Sequence, residues 1–387
     1  MAESRDYNAL NDDAFRQEVR VFFEKEYPAE FRYLLRKGRM SEMRGWWDAQ
    51  YRRGWAGPNW PREHGGMGLD AGKMVIWLEE IERWGVARPP DQGVVQVGPI
   101  IMQYGTEAQK KYFLEPTLKG EFVWCQGYSE PNAGSDLASL RTEAVIDGDH
   151  FVITGQKIWT TMAHDASHIY TLVRTDKQAK KKQEGISFLL IDLNTPGILV
   201  RPIRNIAGHE EFCEVFFDKA RVPRDRLVGK LNDGWTVAKA LLGFERLSIG
   251  SPRRPQYALR RLEMIARAKG LFDDAGFVDR FIALKLDIED LSSLYERYVA
   301  IAKRGEALGP DVSMLKIWAM DTWQSLTELL VETGAEEGVV PGEHDINGVN
   351  TDFLTPFYYA RPGTIYGGSN EIQRNIMAKY VLGLPGH

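Results

Sequence analysis

The chain has 387 residues, of which 43% are hydrophobic and 27% are charged, a composition that predicts a globular protein of two or three domains. Its formal net charge of −5 excludes the basic surface by which proteins bind nucleic acids or anionic lipids. The two cysteines, Cys125 and Cys213, are too few for a disulfide framework or a thiolate metal site, and we expect buried thiols.

The opening sequence, MAESRDYNALNDD, has neither the basic nor the apolar region of a secretory signal. The sequence also contains no run of about 18 apolar residues, the length that a membrane-spanning helix needs. We therefore expect a cytoplasmic protein without a membrane span.

The first third of the chain has apolar residues at helical spacing, from Asp13 to about Gly120. This spacing predicts a helical N-terminal domain over residues 1–124. Two apolar stripes carry the prediction: Phe15, Val19, Phe22 and Phe23 form the first, and Val75, Leu78, Ile81 and Trp84 form the second.

The middle of the chain changes to short runs of β-branched and aromatic residues, separated by turn signals at Asp147-Gly148-Asp149 and Thr195-Pro196-Gly197. We predict a small β domain, of barrel or sandwich form, over residues 125–234. The predicted strands include His150–Thr154, His168–Val173, Ile186–Ile191 and Phe212–Phe217.

Helical spacing returns from Trp235 onward and predicts a C-terminal bundle over residues 235–387. The segment from Gly334 to Gly363 is rich in glycine and proline, which favours a long loop between the final helices. The predicted core positions are Phe281, Leu284, Ile288, Leu291, Tyr295 and Tyr298, followed by Leu315, Trp318, Leu326 and Leu329.

Two patterns suggest sites that their context does not support. The run Gly65–Ala71 fits a dinucleotide-binding loop, but the residues before it, Trp60–His64, cannot form the buried strand that such a loop follows. His164 and His168 have the spacing of zinc ligands on a helix, but they adjoin predicted β structure and have no third ligand nearby in sequence. We predict no metal site.

Three separated segments place small and polar residues where a plain core would use aliphatic ones: Cys125–Asp136, Gly155–Thr161 and Tyr366–Arg374. Small residues and hydroxyls let a backbone approach a planar, polar cofactor and donate hydrogen bonds to it, and a tryptophan such as Trp159 offers a stacking face. Taken singly, each segment could be a tight turn beside a capped helix.

Together, in this order, the segments resemble the acyl-CoA dehydrogenase family of flavoproteins. The N-terminal third agrees, with WPREHGGMG and YGTEAQKKYFLEPTLKGE at matching places. The resemblance implies an α+β multidomain fold that ends in a four-helix bundle, with FAD between the β domain and the bundle. It also implies α,β-desaturation of an acyl-CoA thioester, with electrons passed to an electron-transferring flavoprotein.

The resemblance assigns roles to individual residues. Tyr128 and Ser129 match positions that bind the flavin pyrimidine, Trp159 should cover the flavin ring, and the Thr161 hydroxyl should lie by N5. Lys379 and Ser135 match positions near the CoA moiety, and Arg246 would either meet CoA or orient the Glu245 carboxylate. The full set of implied cofactor contacts is Gln126, Tyr128, Ser129, Gly134, Ser135, Trp159, Thr161, Gly368, Ser369 and Asn370.

One departure from the family pattern concerns the catalytic base. Many members have a glutamate directly after the tyrosine of the last segment, where this chain has Gly367. A subset that resembles isovaleryl-CoA and long-chain dehydrogenases instead carries this glutamate on the first helix of the C-terminal domain, directly before an arginine. The corresponding residues here are Glu245 and Arg246. We predict that Glu245 is the base. The resemblance implies that the Gly367 N–H polarises the thioester carbonyl. The alternative for Glu245 and Arg246 is a helix-surface ion pair.

A second departure concerns the adenosine end of FAD. The stretches Arg267–Phe272 and Thr333–Gly338 fit poorly to the motifs by which homotetrameric members contact a neighbour's FAD, and Glu336 and Glu337 would repel a pyrophosphate. We therefore expect a tetramer that contains a second, related subunit, as in members that resemble pimeloyl-CoA and steroid side-chain dehydrogenases.

Two alternative functions stay open. An acyl-CoA oxidase would use the same residues but pass electrons to oxygen. A non-catalytic subunit that stabilises an active partner is favoured by Gly367 but disfavoured by the retained Trp159, Thr161 and Glu245. The glycine also leaves volume near the substrate α-carbon, which favours branched, dicarboxylic or polycyclic acyl groups.

Overall fold

The computed structural model describes residues 5–34, 36–87, 92–244, 246–304 and 306–385. Its contacts divide the chain into two units, Met1–Phe244 and Glu245–His387. The division into three domains at residues 124 and 234 stays a prediction. The secondary structure is mainly helical before β1, β-rich through β8 and mainly helical afterwards, as the sequence predicts.

The first unit begins with helices, three of which start at a side-chain cap. The side chains of Asn11, Asp70 and Thr106 accept hydrogen bonds from the free backbone N–H groups of the helices that follow them. The capped helices are α1 (Asp12–Glu26), α3 (Ala71–Trp84) and α5 (Glu107–Leu118). The helices α2 (Arg44–Arg53) and α4 (Gly98–Tyr104) have no side-chain cap.

The apolar stripe predicted on α1 is confirmed, since all four of its residues are buried. The stripe predicted on α3 is confirmed in part: Leu78, Ile81 and Trp84 are half-buried and pack against the core. The most buried residues of that helix are others, namely Lys73, Ile76, Trp77 and Glu80. Two of these residues are charged, and a pattern of apolar residues cannot predict that charged side chains are buried. They are buried because ion pairs compensate them, with Arg20 for Glu80 at 2.9 Å as one example.

The β domain contains one eight-stranded sheet in the order β6-β7-β3-β2-β4-β5-β8, with β1 paired in parallel to β4. The four predicted strands are confirmed, and the predicted turn closes a hairpin in which Asp147 pairs with His150. The strands are β1 (Trp124–Gly127), β2 (Glu143–Asp147), β3 (His150–Thr161), β4 (His168–Arg174), β5 (Ile186–Asp192), β6 (Ile198–Ile203), β7 (Phe212–Pro223) and β8 (Leu227–Val228).

A single hydrophobic cluster joins the N-terminal helices to the sheet within the first unit. It also includes the last helix of the unit, α6 (Gly234–Phe244), through Val237 and Leu241. Continuous burial of this kind fixes the strand ends that carry the predicted flavin contacts. Members of the cluster include Trp60, Val97, Ile100, Phe113, Trp124, Tyr170 and Phe188.

The second unit is built from helices and one short hairpin. The predicted stripe on its longest helix is largely confirmed, since Phe281, Ile288, Leu291 and Tyr298 are buried. The elements are α7 (Arg246–Ile249), α8 (Arg253–Lys269), α9 (Ala275–Lys303), α10 (Ser313–Gly334), β9 (Glu343–Ile346), β10 (Val349–Asp352), α11 (Leu354–Ala360) and α12 (Asn370–Tyr380).

The long loop predicted from Gly334 to Gly363 is wrong, because that segment contains the β9–β10 hairpin and α11. Asn347 and Gly348 form the turn with φ values of +51° and +86°, the left-handed conformation that Asn-Gly favours in two-residue hairpins. The Asn347 side chain also donates to the Ala268 carbonyl at 2.7 Å, which ties the hairpin to α8.

Candidate functional site

Strand β3 ends in a bulge that displays Trp159. The pairing with β7 shifts between Lys157, which pairs with Val215, and Thr160, which pairs with Cys213. Between these two pairs β3 therefore has one residue more than β7. At this shift Trp159 has a φ of +59°, and its side chain is 57% exposed. A left-handed backbone is costly for a bulky residue, and such strain concentrates at functional positions. The bulge therefore presents an aromatic face outward, as predicted for a ring that covers a cofactor.

The loop after β1 is fastened directly to this bulge. The Ile158 N–H donates to the Ser129 carbonyl at 2.9 Å, one residue before Trp159. Tyr128 is buried, with its ring edge-on to Tyr170. The structure thus brings together three predicted flavin contacts, Tyr128, Ser129 and Trp159. Thr161 follows at the end of β3, partly exposed.

A buried ion pair that the sequence reasoning missed lies beneath this loop. Lys157 is fully buried, and its Nζ lies 2.8 Å from Glu130 Oε1. Burial lowers the pKa of Lys157 to about 8, although the Glu130 carboxylate opposes that shift. Burial alone would raise the pKa of Glu130, but the charge and hydrogen bond of Lys157 hold it below its ordinary value. The only signal of this ion pair in the sequence is that Lys157, a charged residue, stands at an inward-facing position of a strand.

Two buried polar atoms near the predicted flavin contacts have no partner among the described residues: one on Gln126, which is a predicted contact, and one on Thr160, which is not. The Gln126 Nε2 is buried and has no hydrogen-bond partner in the described part of the chain, and the same is true of Thr160 Oγ1 on β3. Gly134 and Ser135 are exposed at the surface of the following loop. Buried polar atoms without partners are costly, which is typical of sites that a ligand completes.

The second unit forms the turn that precedes α12. Gly367 and Gly368 have φ values of +65° and +79°, a conformation that glycine adopts without strain. Ser369 caps α12, since its Oγ accepts a hydrogen bond from the Ile372 N–H at 3.3 Å. Gln373 donates back to the Gly367 carbonyl at 3.1 Å, which closes the turn.

Asn370 is held inside the bundle. Its side chain accepts from Lys316 Nζ at 2.8 Å and donates to Asp321 Oδ1 at 2.8 Å. Burial lowers the pKa of Lys316 to about 8 and raises the pKa of Asp321. The Asn370 carboxamide is therefore engaged within the protein, which fixes the first turn of α12. Lys379 lies exposed near the other end of this helix.

The predicted base, Glu245, lies outside the described residues. Arg246, which follows it, begins α7. The last residue of α7, Ile249, packs on the turn before α12, because a Cβ placed on Gly367 would lie 2.7 Å from Ile249 Cδ1. The structure thus brings the segment that follows Glu245 against Gly367, the position at which the sequence departs from the expected family pattern.

The histidines and cysteines weighed as ligands have other surroundings. His164 contacts Cys213 Sγ through Nδ1 at 3.2 Å, and His168 packs among aromatic rings. Cys125 and Cys213 are both buried free thiols, as expected. Within the described ranges, no three His, Cys, Asp or Glu side chains gather as a metal site would require. The described helices include none long and apolar enough to cross a membrane.

Comparison with known families matches three consecutive domain models along the chain. They are the N-terminal domain of acyl-CoA dehydrogenase over residues 11–121, the middle domain over residues 125–220 and the C-terminal domain over residues 232–382. The chain belongs to the acyl-CoA dehydrogenase family. The resemblance seen in the sequence is confirmed, and the protein is an oxidoreductase of a family whose members are FAD-binding flavoproteins involved in lipid and steroid β-oxidation.

Several relatives are similar over almost the full length. Acyl-CoA dehydrogenase IpdE1 of Mycobacterium tuberculosis is 38% identical, over 96% of this chain and 98% of that protein. The solved structure of the Tcur3481-Tcur3483 steroid ACAD has a TM-score of 0.88 and 30% identity, over 97% of this chain and 98% of that one. The ChsE4-ChsE5 complex from Mycobacterium tuberculosis has a TM-score of 0.82 and 28% identity, over 97% of this chain and 98% of that one.

The residues of the first unit fit a flavin. A flavin offers a planar face to an aromatic ring and a pyrimidine edge to hydrogen-bonding groups, and the chain places the exposed Trp159 ring beside a loop of small and polar residues. The unpartnered Gln126 Nε2 is a donor that a cofactor carbonyl would satisfy. The individual contacts at Tyr128, Ser129, Gly134, Ser135 and Thr161 stay predictions.

Proposed function

We propose that this protein catalyses the α,β-dehydrogenation of an acyl-CoA thioester with bound FAD. The observation that carries the proposal is the left-handed bulge at Trp159, which holds a largely exposed aromatic ring beside the loop that contains Tyr128 and Ser129. When bound, FAD would supply the acceptor for the hydride that leaves the substrate β-carbon. Trp159 would cover one face of the flavin ring, and the Thr161 hydroxyl would donate a hydrogen bond at the reacting edge.

Glu245 removes the α-proton in this proposal. Gly367 cannot act as a base, and Ile249 packs against it, so the carboxylate must come from another part of the chain. Glu245 stands four residues before Ile249 in the sequence, on the segment that leads into α7. A positioned general base is worth about 10² to 10⁴ in rate.

The Gly367 N–H polarises the thioester carbonyl as the proton leaves, in the manner of an oxyanion hole. Gly367 is exposed at the turn, so its backbone is accessible to a ligand. Ser135 on the β-domain loop and Lys379 on α12, both exposed, bind the CoA moiety, and Arg246 either does the same or orients the Glu245 carboxylate.

The acyl group and the partner follow from the type of relative. The Tcur3481-Tcur3483 protein is described as a steroid ACAD, and ChsE4-ChsE5 is described as a complex. We infer a branched, dicarboxylic or polycyclic acyl substrate, a tetramer that includes a second related subunit, and an electron-transferring flavoprotein as acceptor.

The test uses the purified protein, alone and co-expressed with a related subunit. Its visible flavin absorbance should bleach anaerobically with a branched or steroid side-chain acyl-CoA and not with butyryl-CoA. Dye reduction without peroxide would support a dehydrogenase, whereas stoichiometric peroxide in air would support the oxidase alternative. A protein that holds no flavin in either preparation would contradict the proposal, and so would one whose flavin is bleached by none of these acyl-CoA thioesters. Either result would favour the non-catalytic subunit instead.

A further inference from the structure

We propose that the buried Lys157–Glu130 ion pair is a positioning device for the flavin, which holds the loop at Tyr128 and Ser129 in register with the bulge at Trp159. This inference rests on the proposed function, because it assigns the two residues to the FAD site without placing them in contact with FAD.

Lys157 connects β3 to the loop from below. Its side chain is fully buried, and Nζ donates to the Tyr128 carbonyl at 3.2 Å as well as to Glu130 Oε1 at 2.8 Å. Two residues later the same strand presents Trp159. One ammonium group thus fixes the distance between the backbone of Tyr128 and the strand that carries the ring.

Glu130 connects the loop to the start of β2. Its carboxylate accepts hydrogen bonds from the N–H groups of Arg141 at 2.6 Å and Thr142 at 2.9 Å. Glu130 also forms a two-way backbone pair with Ala133, in which each N–H donates to the other carbonyl at 3.0 Å. The carboxylate therefore closes the segment that contains Gly134 and Ser135 into a loop of fixed shape.

The arrangement is more specific than stability requires. Burying a charge pair costs desolvation on both partners, and well-packed apolar side chains of similar volume often stabilise a fold as well or better. Apolar side chains, however, could not bind the Tyr128 carbonyl and the two backbone N–H groups at once. Besides the bond between its own members, the pair supplies three directed contacts to the backbone at a loop on which several predicted flavin contacts lie.

The experiment compares FAD affinity and fold stability in matched variants. Lys157→Met and Glu130→Gln each remove one charge, and the double variant removes both, which avoids leaving an unpaired buried ion. The control is Glu80→Gln, since Glu80 is a buried carboxylate held by Arg16 and Arg20 in the N-terminal helices. Each protein is stripped of flavin, and its melting temperature, its FAD dissociation constant and the visible spectrum of the reconstituted flavin are measured.

We expect the double variant to melt near the wild-type temperature but to bind FAD at least tenfold more weakly, with a shifted flavin spectrum. The Glu80→Gln control should lose stability and keep wild-type FAD affinity and spectrum. A double variant that binds FAD within twofold of wild type, with an unchanged spectrum, would overturn the inference and leave the proposed function intact. A wild-type protein that binds no FAD would instead contradict the proposed function.

Discussion

The Ile249 side chain occupies the space into which a side chain at position 367 would project. A Cβ on Gly367 would lie 2.7 Å from Ile249 Cδ1, closer than real Cβ contacts come, and Gly367 has a φ of +65°. The left-handed backbone therefore favours glycine here, and the end of the Ile249 side chain would have to move to admit a larger residue.

We predict that Gly367→Ala destabilises the protein more than Gly383→Ala does. Gly383 has the same φ of +65°, but nothing lies within 4 Å of its added Cβ, so it reports the backbone cost alone, about 1–2 kcal/mol. The contact with Ile249 should add about 1 kcal/mol or more at position 367. Thermal unfolding measures both variants. In an Ile249→Ala background the excess at position 367 should shrink, and an excess that persists there would contradict the packing argument.

A second prediction concerns the base. Glu245→Gln should lower turnover by about 10² or more, because the amide cannot accept the α-proton, while FAD content and acyl-CoA affinity stay at wild-type values. Stopped-flow flavin reduction with a substrate that bleaches the wild type measures the step directly. Adding Gly367→Glu to this variant should not restore reduction, because the left-handed backbone at position 367 is strained for glutamate and its side chain would have to displace the end of Ile249. Reduction at a near-normal rate in Glu245→Gln would remove Glu245 from the role.

A third prediction concerns Trp159. Trp159→Ala should weaken FAD binding about tenfold, since an aromatic contact contributes about 1 kcal/mol beyond the area that it buries. The stability of the flavin-free protein should change little, because the ring is 57% exposed. Leu199→Ala is the matched control, an apolar side chain 54% exposed on β6. Equal FAD dissociation constants for both variants, measured by flavin fluorescence, would show that the Trp159 ring does not cover the cofactor.

Much of the fold could be predicted from the sequence because its signals are local. Four strands, the Asp147–His150 hairpin and the buried faces of α1 and α9 follow from apolar spacing and turn residues. The errors have local reasons too. The buried face of α3 includes two paired charges, and the hairpin at Asn347-Gly348 carried a turn signal that the glycine and proline content around it obscured.

The candidate site could be predicted only in part. Motifs selected the residues that we propose would meet a cofactor, such as Trp159 and Ser369. They could not identify Lys157, Glu130 or Ile249, whose roles depend on contacts between distant segments: β3 with the β1–β2 loop, and α7 with the turn at Gly367. Side chains that position other groups have no composition or spacing of their own, because tertiary structure alone decides what they touch.

The last prediction is a loss of stability in mild acid that His168 causes. Its ring is buried against Phe122 and Trp124, with centroid distances of 4.1 and 5.0 Å, and Nδ1 lies 2.9 Å from Ser167 Oγ. Burial lowers the pKa of His168 from 6.5 to about 4. Between these values the unfolded chain binds a proton that the folded protein excludes, so the free energy of unfolding falls as the pH decreases from 6.5 to 4.

Above pH 6.5 the neutral, buried His168 costs the folded protein no stability through titration. By pH 4 the free energy of unfolding has fallen by about 3 kcal/mol, at 1.36 kcal/mol for each pH unit. His168→Phe keeps an aromatic ring in the cluster and removes the titration, while the carboxylates of the protein go on titrating in both proteins. The difference in melting temperature between wild type and His168→Phe should therefore move in favour of the variant as the pH is lowered from 7 to 4.5. A difference that stays constant over that range would mean that His168 is not held neutral by its surroundings.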